Sequence, residues 1–187
     1  MSEQMIAEQL LKAAKAVEKQ VDAEIERLDN LDDEGLEEIR RNRIAQMKEA
    51  ASKRQEQDAN GHGRVQELAN GNDFFEAGKK SEKVVCHFFL PTVRKCEVVD
   101  ACFEKLAPVH FGTRFVKINA EKVPNLIKML RITHIPNICV IVENKIVNYL
   151  RVTDESGSDK EKLLVHIEKW LLNQNGIEKL AVSRGRN

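Results

Sequence analysis

The sequence predicts an α/β domain, built as a central mixed sheet flanked by helices, that follows a long N-terminal helical extension. Three observations support this prediction. The first sixty residues hold no proline and one glycine, Gly35, so little in the composition interrupts a helix. From residue 65 onward, short apolar runs alternate with amphipathic segments, as in α/β domains. The last two apolar runs flank Glu143-Asn144, which predicts a closing hairpin.

The first helix is predicted by apolar residues that recur in steps of three and four. This spacing places them on one face of an amphipathic helix. Because this part of the chain offers no core of its own, we expect the face to dock into a groove of a partner protein. A coiled coil and packing on the chain's own domain are the alternatives. The face, called the apolar ridge below, comprises Leu10, Val17, Val21, Ile25 and Leu28.

A second helix is predicted after a break at 31–35, where Asp32 or Asp33 can cap it. Its apolar stripe is sparser than the ridge, and its other faces are charged or polar, so it is not expected to be a core element. The stripe comprises Leu36, Ile39, Met47 and Ala50.

Glycines mark the end of this helical part. Asn60-Gly61-His62-Gly63 predicts a helix stop and a hinge. We therefore expect a helical arm over 1–60, a folded domain over 61–173 and a flexible C-terminal tail over 174–187.

The elements of the folded domain follow from the change of periodicity. The run 84–90 is apolar almost throughout, which predicts a central buried strand, and Pro124 opens a short helix. Asn72 or Asp73 is expected to cap the helix that carries Phe74 and Phe75. The elements are strands over 65–68, 84–90, 114–119, 138–142 and 145–152, and helices from 72 and over 93–109, 123–130 and 160–173.

The resulting order, βαβαβαββα with a parallel first half and a closing hairpin, resembles the thioredoxin fold. A thioredoxin-like fold implies a buried core on the sheet. The side chains expected in that core are Phe88, Phe103, Ile118, Ile138, Ile141 and Trp170.

The start of the fourth predicted helix carries half of a redox motif. Val93-Arg94-Lys95-Cys96 occupies the place where thioredoxins carry Cys-x-x-Cys, but only the second cysteine is present. A dithiol oxidoreductase needs the first thiol to attack a substrate disulfide and the second to resolve the mixed disulfide. Val93 cannot ionise, so we expect a thioredoxin-like fold used for binding, with no dithiol catalysis.

Two further positions belong to this degenerate site. Thioredoxins bury an aspartate six residues before their first cysteine, and His87 stands at that position here. Pro136 corresponds to the cis-proline beside the thioredoxin active site, so we expect the Ile135–Pro136 bond to be cis.

Cys96 has two interpretations. The first turn of a helix and the neighbouring Arg94 and Lys95 could lower the pKa of its thiol and make it a monothiol nucleophile or redox sensor. Alternatively it is packed and inert. Cys86, Cys102 and Cys139 are expected in the core. The histidine and cysteine spacings match no zinc pattern, and no Gly-rich phosphate loop is present. We expect no metal and no cofactor.

Composition excludes several classes of protein. Hydrophobic residues make up 42% and charged residues 32%, with no apolar run of membrane-spanning length and no signal-peptide core. The first sixty residues carry 10 basic and 15 acidic side chains, net −5, and the remainder 20 and 15, net +5. Neither part is basic enough to predict nucleic-acid binding. Four cysteines without paired spacing suit a reducing cytosol.

The chain as a whole resembles the phosducin-like family. The resemblance rests on 23–29, Gly61-His62-Gly63, Asp73-Phe74-Phe75, 84–89 followed by the lone Cys96, 115–122 and Ile135-Pro136. Two departures are Glu97, where family members tend to have lysine, and a short C-terminal tail.

The resemblance implies a cytoplasmic co-chaperone. Its expected partner is the cytosolic chaperonin (CCT/TRiC), whose ATP cycle and folding of actin or tubulin it would modulate, with no nucleic acid or membrane involved. A monothiol redox protein acting through Cys96 and a structural dimer module using the N-terminal helix are the alternatives from other classes.

Overall fold

The structure is a computed structural model that describes residues 3–29, 33–153 and 160–181. The chain divides into two compact units, Met1–Ser52 and Lys53–Asn187. The first unit holds helix α1, Glu3–Asp29, and the greater part of helix α2, Asp33–Ala59. The last turns of α2, from Lys53 onward, belong to the second unit, which we call the body.

The body is built on a five-stranded mixed sheet in the order β1-β3-β2-β4-β5. Strands β1 and β2 both pair in parallel with β3, whereas β4 pairs antiparallel with β2 and with β5. The expected order and hairpin are confirmed. The strands are β1 Val65–Leu68, β2 Lys83–Phe89, β3 Arg114–Asn119, β4 Asn137–Val142 and β5 Lys145–Arg151.

Helices cover both faces of the sheet, as its two separate cores show. Helix α3 is capped by Asn70, whose side chain accepts hydrogen bonds from the backbone N–H groups of Asn72 and Asp73. The expectation that Asn72 or Asp73 caps this helix is therefore wrong. The helices are α3 Gly71–Lys80, α4 Arg94–Leu106, α5 Pro124–Met129 and α6 Lys160–Asn173, with a single 3-10 turn at Ala120–Lys122.

Alternate residues of the central strands point into opposite cores. One core joins the sheet to α4 and α6 and contains Phe103 and Ile138. The other joins it to α3 and α5 and contains Phe88, Ile118 and Ile141. These five residues are buried as expected, but Trp170 is only partly buried, because it packs against the first core from its margin.

The segment that follows α6 packs on the body through residue 181. Ile177 is 2% exposed and lies in the first core. The Thr113 hydroxyl donates to the Gly176 carbonyl at 2.6 Å, and the Ala181 N–H donates to Glu168 Oε1 at 2.8 Å. The expectation of a flexible tail is therefore wrong for 174–181.

The junction between α2 and β1 is fixed by hydrogen bonds. His62 is buried, with Nδ1 2.8 Å from the Phe111 carbonyl oxygen and Nε2 2.9 Å from the Ser81 hydroxyl. Gly63 has a φ of +79°, and a Cβ there would lie 2.9 Å from the Phe111 ring. The expected helix stop is present, but these contacts hold its residues against the body, where the sequence had suggested a hinge.

Candidate functional site

The degenerate redox site lies where α4 begins. Val93 occupies the N-cap position and makes no side-chain capping hydrogen bond. The Cys96 N–H donates to the Val93 carbonyl at 2.9 Å, which places Cys96 in the first turn of the helix, as expected. The Cys96 side chain is 3% exposed, so it faces the interior of the body.

The environment of Cys96 disfavours a thiolate. Burial raises the pKa of the Cys96 thiol, and a hydrogen bond with the Leu90 backbone only partly offsets this. The lowered pKa that the neighbouring basic residues suggested is therefore absent. Since the thiolate is the reactive form of cysteine, this environment matches the packed, inert interpretation.

His87 is fully buried in the middle of β2. Its ring contacts the rings of Phe89 and Phe103, with centroids 6.0 and 5.7 Å away. Nδ1 lies 2.8 Å from Asp100 Oδ1, and Nε2 is buried without a hydrogen-bond partner among the described residues. Burial lowers the pKa of His87, although the hydrogen bond to Asp100 opposes this. The neutral ring thus donates from Nδ1.

Asp100 and Lys117 complete a polar cluster with His87. Lys117 Nζ donates to Asp100 Oδ2 at 2.8 Å and lies 5.1 Å from the centre of the Phe89 ring. Burial alone would raise the pKa of Asp100, but its hydrogen bonds with His87 and Lys117 outweigh burial and the pKa is lowered. No pattern in the sequence indicates either residue, although Lys117 pairs in register with His87 across β2 and β3.

The other residues predicted near this site are a proline and the remaining cysteines. The Ile135–Pro136 bond is cis, as expected. Cys86 and Cys139 face each other in register on β2 and β4 as free, buried thiols. Burial raises the pKa of Cys139 to about 12 and that of Cys102 to about 11. Within the described ranges no group of three or more potential metal ligands occurs.

Dithiol oxidoreductase activity is expected to be at least about a hundredfold below that of thioredoxin, because no attacking thiol is present. Insulin reduction monitored by turbidity measures this. Val93→Cys restores the spacing and is expected to give weak activity, since His87 replaces the buried acid. A rate comparable to thioredoxin for the unmodified chain would contradict the interpretation.

Acidification is expected to destabilise the body. Burial lowers the pKa of His62, His87 and His110 below their ordinary value of 6.5, so the unfolded chain binds more protons than the folded chain just below that pH. The contribution of these neutral histidines to the free energy of unfolding should be fully present above pH 6.5. It should be lost as the pH falls from there toward the folded-state pKa values. Thermal melts between pH 7.5 and 5.5 test this, and an unchanged or rising Tm on acidification would refute it.

The apolar ridge is the second candidate site. On α1 the side chains of Val17, Val21 and Ile25 are 58%, 50% and 50% exposed. The side chains of Leu10 and Leu28 lie outside the described part of the structure. The three described members fall on one face of the helix at i, i+4 and i+8. They form an exposed apolar strip in the first unit, whereas Val93, Cys96, His87 and Pro136 lie in the body.

No described helix is long and apolar enough to cross a membrane.

Comparison with known proteins finds one matching protein family and several individual proteins of similar sequence. The family model described as Phosducin matches residues 8–178. Thioredoxin domain-containing protein 9 of Caenorhabditis elegans is 48% identical over 159 residues, covering 85% of this chain and 76% of that protein. Phosducin-like protein 3 of Drosophila melanogaster is 41% identical over 146 residues, covering 78% of this chain and 68% of that protein.

Solved thioredoxins share the fold of the body. Thioredoxin f from spinach chloroplast aligns with a TM-score of 0.50 at 27% identity, covering 62% of this chain and 92% of that one. A mutant thioredoxin from Halobacterium salinarum gives the same TM-score at 13% identity, covering 64% of this chain and 96% of that one. The body is thioredoxin-like.

Proposed function

Because the chain belongs to the phosducin family, we propose that it is a cytoplasmic co-chaperone that binds the cytosolic chaperonin (CCT/TRiC) through the apolar ridge of α1. The binding would modulate the chaperonin's ATP cycle and the folding of actin or tubulin, without dithiol redox catalysis by the chain itself.

The exposed ridge is the observation that carries this proposal. Val17, Val21 and Ile25 each leave half or more of the side chain in solvent. Apolar residues aligned along one helix face gain free energy when a groove removes that face from water. The body has two hydrophobic cores, and Val17, Val21 and Ile25 belong to neither of them. We therefore assign the ridge to a partner protein.

The negative charge of the first sixty residues favours a partner with a basic surface. The first sixty residues carry a net charge of −5, and acidic side chains such as Glu18 and Asp22 flank the ridge. A basic surface around the partner's groove would attract this arm and speed association. We therefore expect the interaction to weaken as the salt concentration rises.

The body supports a binding role. Val93 removes the attacking thiol, and Cys96 is buried with a raised pKa, so the site that catalyses disulfide exchange in thioredoxins has no activated nucleophile here. The sequence carries no phosphate-binding loop of the Walker type. Any effect of the chain on the chaperonin's ATP hydrolysis would therefore arise from contact between the two proteins, and not from nucleotide bound by the chain.

Capture of the full chain's partners tests the proposal. Immobilised chain is incubated with cytosolic extract, and retained proteins are identified by mass spectrometry. The chaperonin subunits are expected to be retained, and the ATPase rate of purified chaperonin should change to a plateau as the chain is added. Absence of chaperonin from the retained proteins, together with an unchanged ATPase rate at saturating chain, would contradict the proposal.

A further inference from the structure

A cavity of about 370 Å³ lies in the body, at the edge of the sheet that β5 forms. The start of β4, the later residues of β5 and the loop that follows α5 enclose it. Val93, Cys96 and Pro136 are not among the residues that line it, so the cavity is separate from the degenerate redox site. Its lining includes Leu130, Arg131, Ile132, Asn137, Tyr149 and Arg151.

Asn137 brings an unsatisfied polar group to this cavity. The residue is 3% exposed, and its buried Oδ1 accepts no hydrogen bond from any residue that the structure describes. A buried amide oxygen without a donor is unfavourable, because its hydrogen bonds to water are lost and not replaced. Since Asn137 lines the cavity, a ligand bound there can supply the missing donor.

Two arginines give the cavity a positive charge. Arg131 and Arg151 are both exposed, and the described lining holds no carboxylate. Within the described ranges, neither guanidinium forms an ion pair or a hydrogen bond with another residue. Arg151 lies opposite Asn137 in the register of β5 and β4, so the two side chains emerge on the same face of the sheet. This arrangement favours an anionic ligand.

The backbone of Arg131 has a conformation that suits glycine better than arginine. At the end of α5 the Arg131 N–H donates to the Lys128 carbonyl at 3.2 Å, and the Ile132 N–H donates to the Ile127 carbonyl at 3.1 Å. Arg131 has a φ of +53°, the left-handed conformation in which helices usually end on glycine. The chain thus carries a guanidinium at the cavity despite the backbone strain, which supports a role for this side chain.

The polar groups of the cavity match a ligand that combines a peptide N–H with a carboxylate. A side-chain amide such as that of Asn137 accepts from an N–H and donates to a carbonyl, so it pairs with a peptide unit. Guanidinium groups bind carboxylates through two parallel hydrogen bonds. The Cα atoms of the register pair Asn137 and Arg151 lie about 4.5–5.5 Å apart, as in antiparallel sheets generally. The last residue of a polypeptide carries both groups on one Cα.

The cavity suits the end of a chain better than a passing strand. Its volume of about 370 Å³ is near the lower limit of ligand pockets, about 300 Å³. On the outer strand β5, the Tyr149 N–H donates to Asn148 Oδ1 at 2.8 Å, and a strand added along this edge would have to displace that bond. Leu130 and Ile132, which pack against the second core, offer apolar contact to a terminal side chain.

We propose that this cavity binds the C-terminal carboxylate of a partner polypeptide. The carboxylate lies between Arg131 and Arg151, and the last peptide N–H donates to Asn137 Oδ1. The last side chain of the partner lies against Leu130 and Ile132. The body thus has an interaction site of its own, which is independent of the apolar ridge and of the proposed chaperonin contact.

Titration of the isotope-labelled full chain with two short peptides, followed by NMR, tests the proposal. Acetyl-Ala-Ala-Leu with a free carboxylate should shift the backbone amide signals of Arg131, Asn137 and Arg151, and should saturate them at millimolar concentrations. The same peptide with a C-terminal amide should bind at least about tenfold more weakly, because the charge-assisted hydrogen bonds are lost. Equal affinity for the two peptides, or no shifts with either at about 20 mM, would overturn the proposal.

Three variants separate the site from general charge attraction. Arg131→Gly removes a cation and relieves the backbone, since glycine adopts positive φ without strain. Its affinity for the free-carboxylate peptide should fall at least about tenfold while its Tm is unchanged or higher, and Arg151→Gln should lose a similar factor. Lys128→Gln is the matched control, because Lys128 is exposed on α5 and does not line the cavity. It should bind within about twofold of the unmodified chain. Equal losses in Lys128→Gln and Arg131→Gly would overturn the site.

Two other ligands distinguish a chain terminus from other sources of negative charge. Acetyl-Ala-Asp-Ala with a C-terminal amide offers a carboxylate on a side chain, and inorganic phosphate offers an anion without a peptide unit. Both should bind at least about tenfold more weakly than the free-carboxylate peptide. If the aspartyl peptide binds as tightly, the cavity takes an internal acidic residue. If phosphate does, the cavity is a simple anion site, and either result overturns recognition of a C-terminus.

Discussion

Replacing Phe88 with alanine is expected to cost about 3–5 kcal/mol of unfolding free energy, the usual range for a fully buried aromatic residue. Phe88 is 0% exposed on the central strand β2, and its ring centroid lies 5.7 Å from that of Phe74. Truncation would leave a cavity between the sheet and α3 that the rigid strand cannot close. Denaturant unfolding of the full chain, followed by the fluorescence of the single tryptophan, Trp170, measures the change.

A neighbouring phenylalanine gives a matched control. Phe75 is 42% exposed, and its ring makes an edge-to-face contact with that of Phe74, at 5.5 Å between centroids. Phe75→Ala is expected to cost less than about 1 kcal/mol, as for most exposed substitutions. Equal losses for the two variants would show that Phe88 does not anchor the core.

Replacing the described part of the ridge with serine is expected to weaken chaperonin binding about a hundredfold. About half of each of Val17, Val21 and Ile25 is available for burial by a partner. Burying half of a Val or Ile side chain contributes about 1 kcal/mol of free energy, so the three side chains together contribute about 3 kcal/mol to binding. Affinity of the full chain for purified chaperonin, measured at one salt concentration, tests this value.

The opposite face of α1 supplies the control. Lys15, Lys19 and Ala23 are exposed and have the same i, i+4, i+8 spacing as the ridge residues. Serine at all three positions lowers helix propensity at least as much, since lysine and alanine are better helix formers than valine and isoleucine. This variant should bind within about threefold of the unmodified chain. Similar losses in both variants would mean that helicity, and not the ridge, was disturbed.

Local patterns were sufficient to predict the scaffold of the body. The continuous apolar run of β2 placed that strand at the centre of the sheet, where it pairs with both β3 and β4. Glu143 and Asn144 predicted the hairpin turn, and both have positive φ there. In each case neighbouring residues in the sequence carry the physical cause, so no knowledge of tertiary contacts was needed.

The chemistry of the site depends on residues that the fold brings together. Asp100 reaches His87 from α4, and Lys117 reaches Asp100 from β3, which no local spacing indicates. The sequence left the pKa of Cys96 open between two interpretations for a related reason. Arg94 and Lys95 are visible in the sequence, whereas the burial that raises this pKa depends on how α4 packs.

The expectation of a flexible C-terminal tail was wrong for residues 174–181 because this segment packs on the body. Residues 174–181 are polar enough to resemble a tail, but Ile177 fills a place in the core. Its neighbour Glu178 pairs with Lys83 at 3.5 Å. A single buried apolar residue gives too little periodic signal to be distinguished from an exposed one in the sequence.

Amide hydrogen exchange by the full chain, alone and saturated with purified chaperonin, locates the contact most directly. In the complex, amides over 17–25 of α1 should exchange at least about tenfold more slowly, because docking of the ridge stabilises the helix against local opening. Amides around Cys96 and Pro136 should exchange as in the free chain. Protection confined to the body, with the α1 amides unchanged, would contradict a ridge-mediated contact and assign binding to the thioredoxin-like domain.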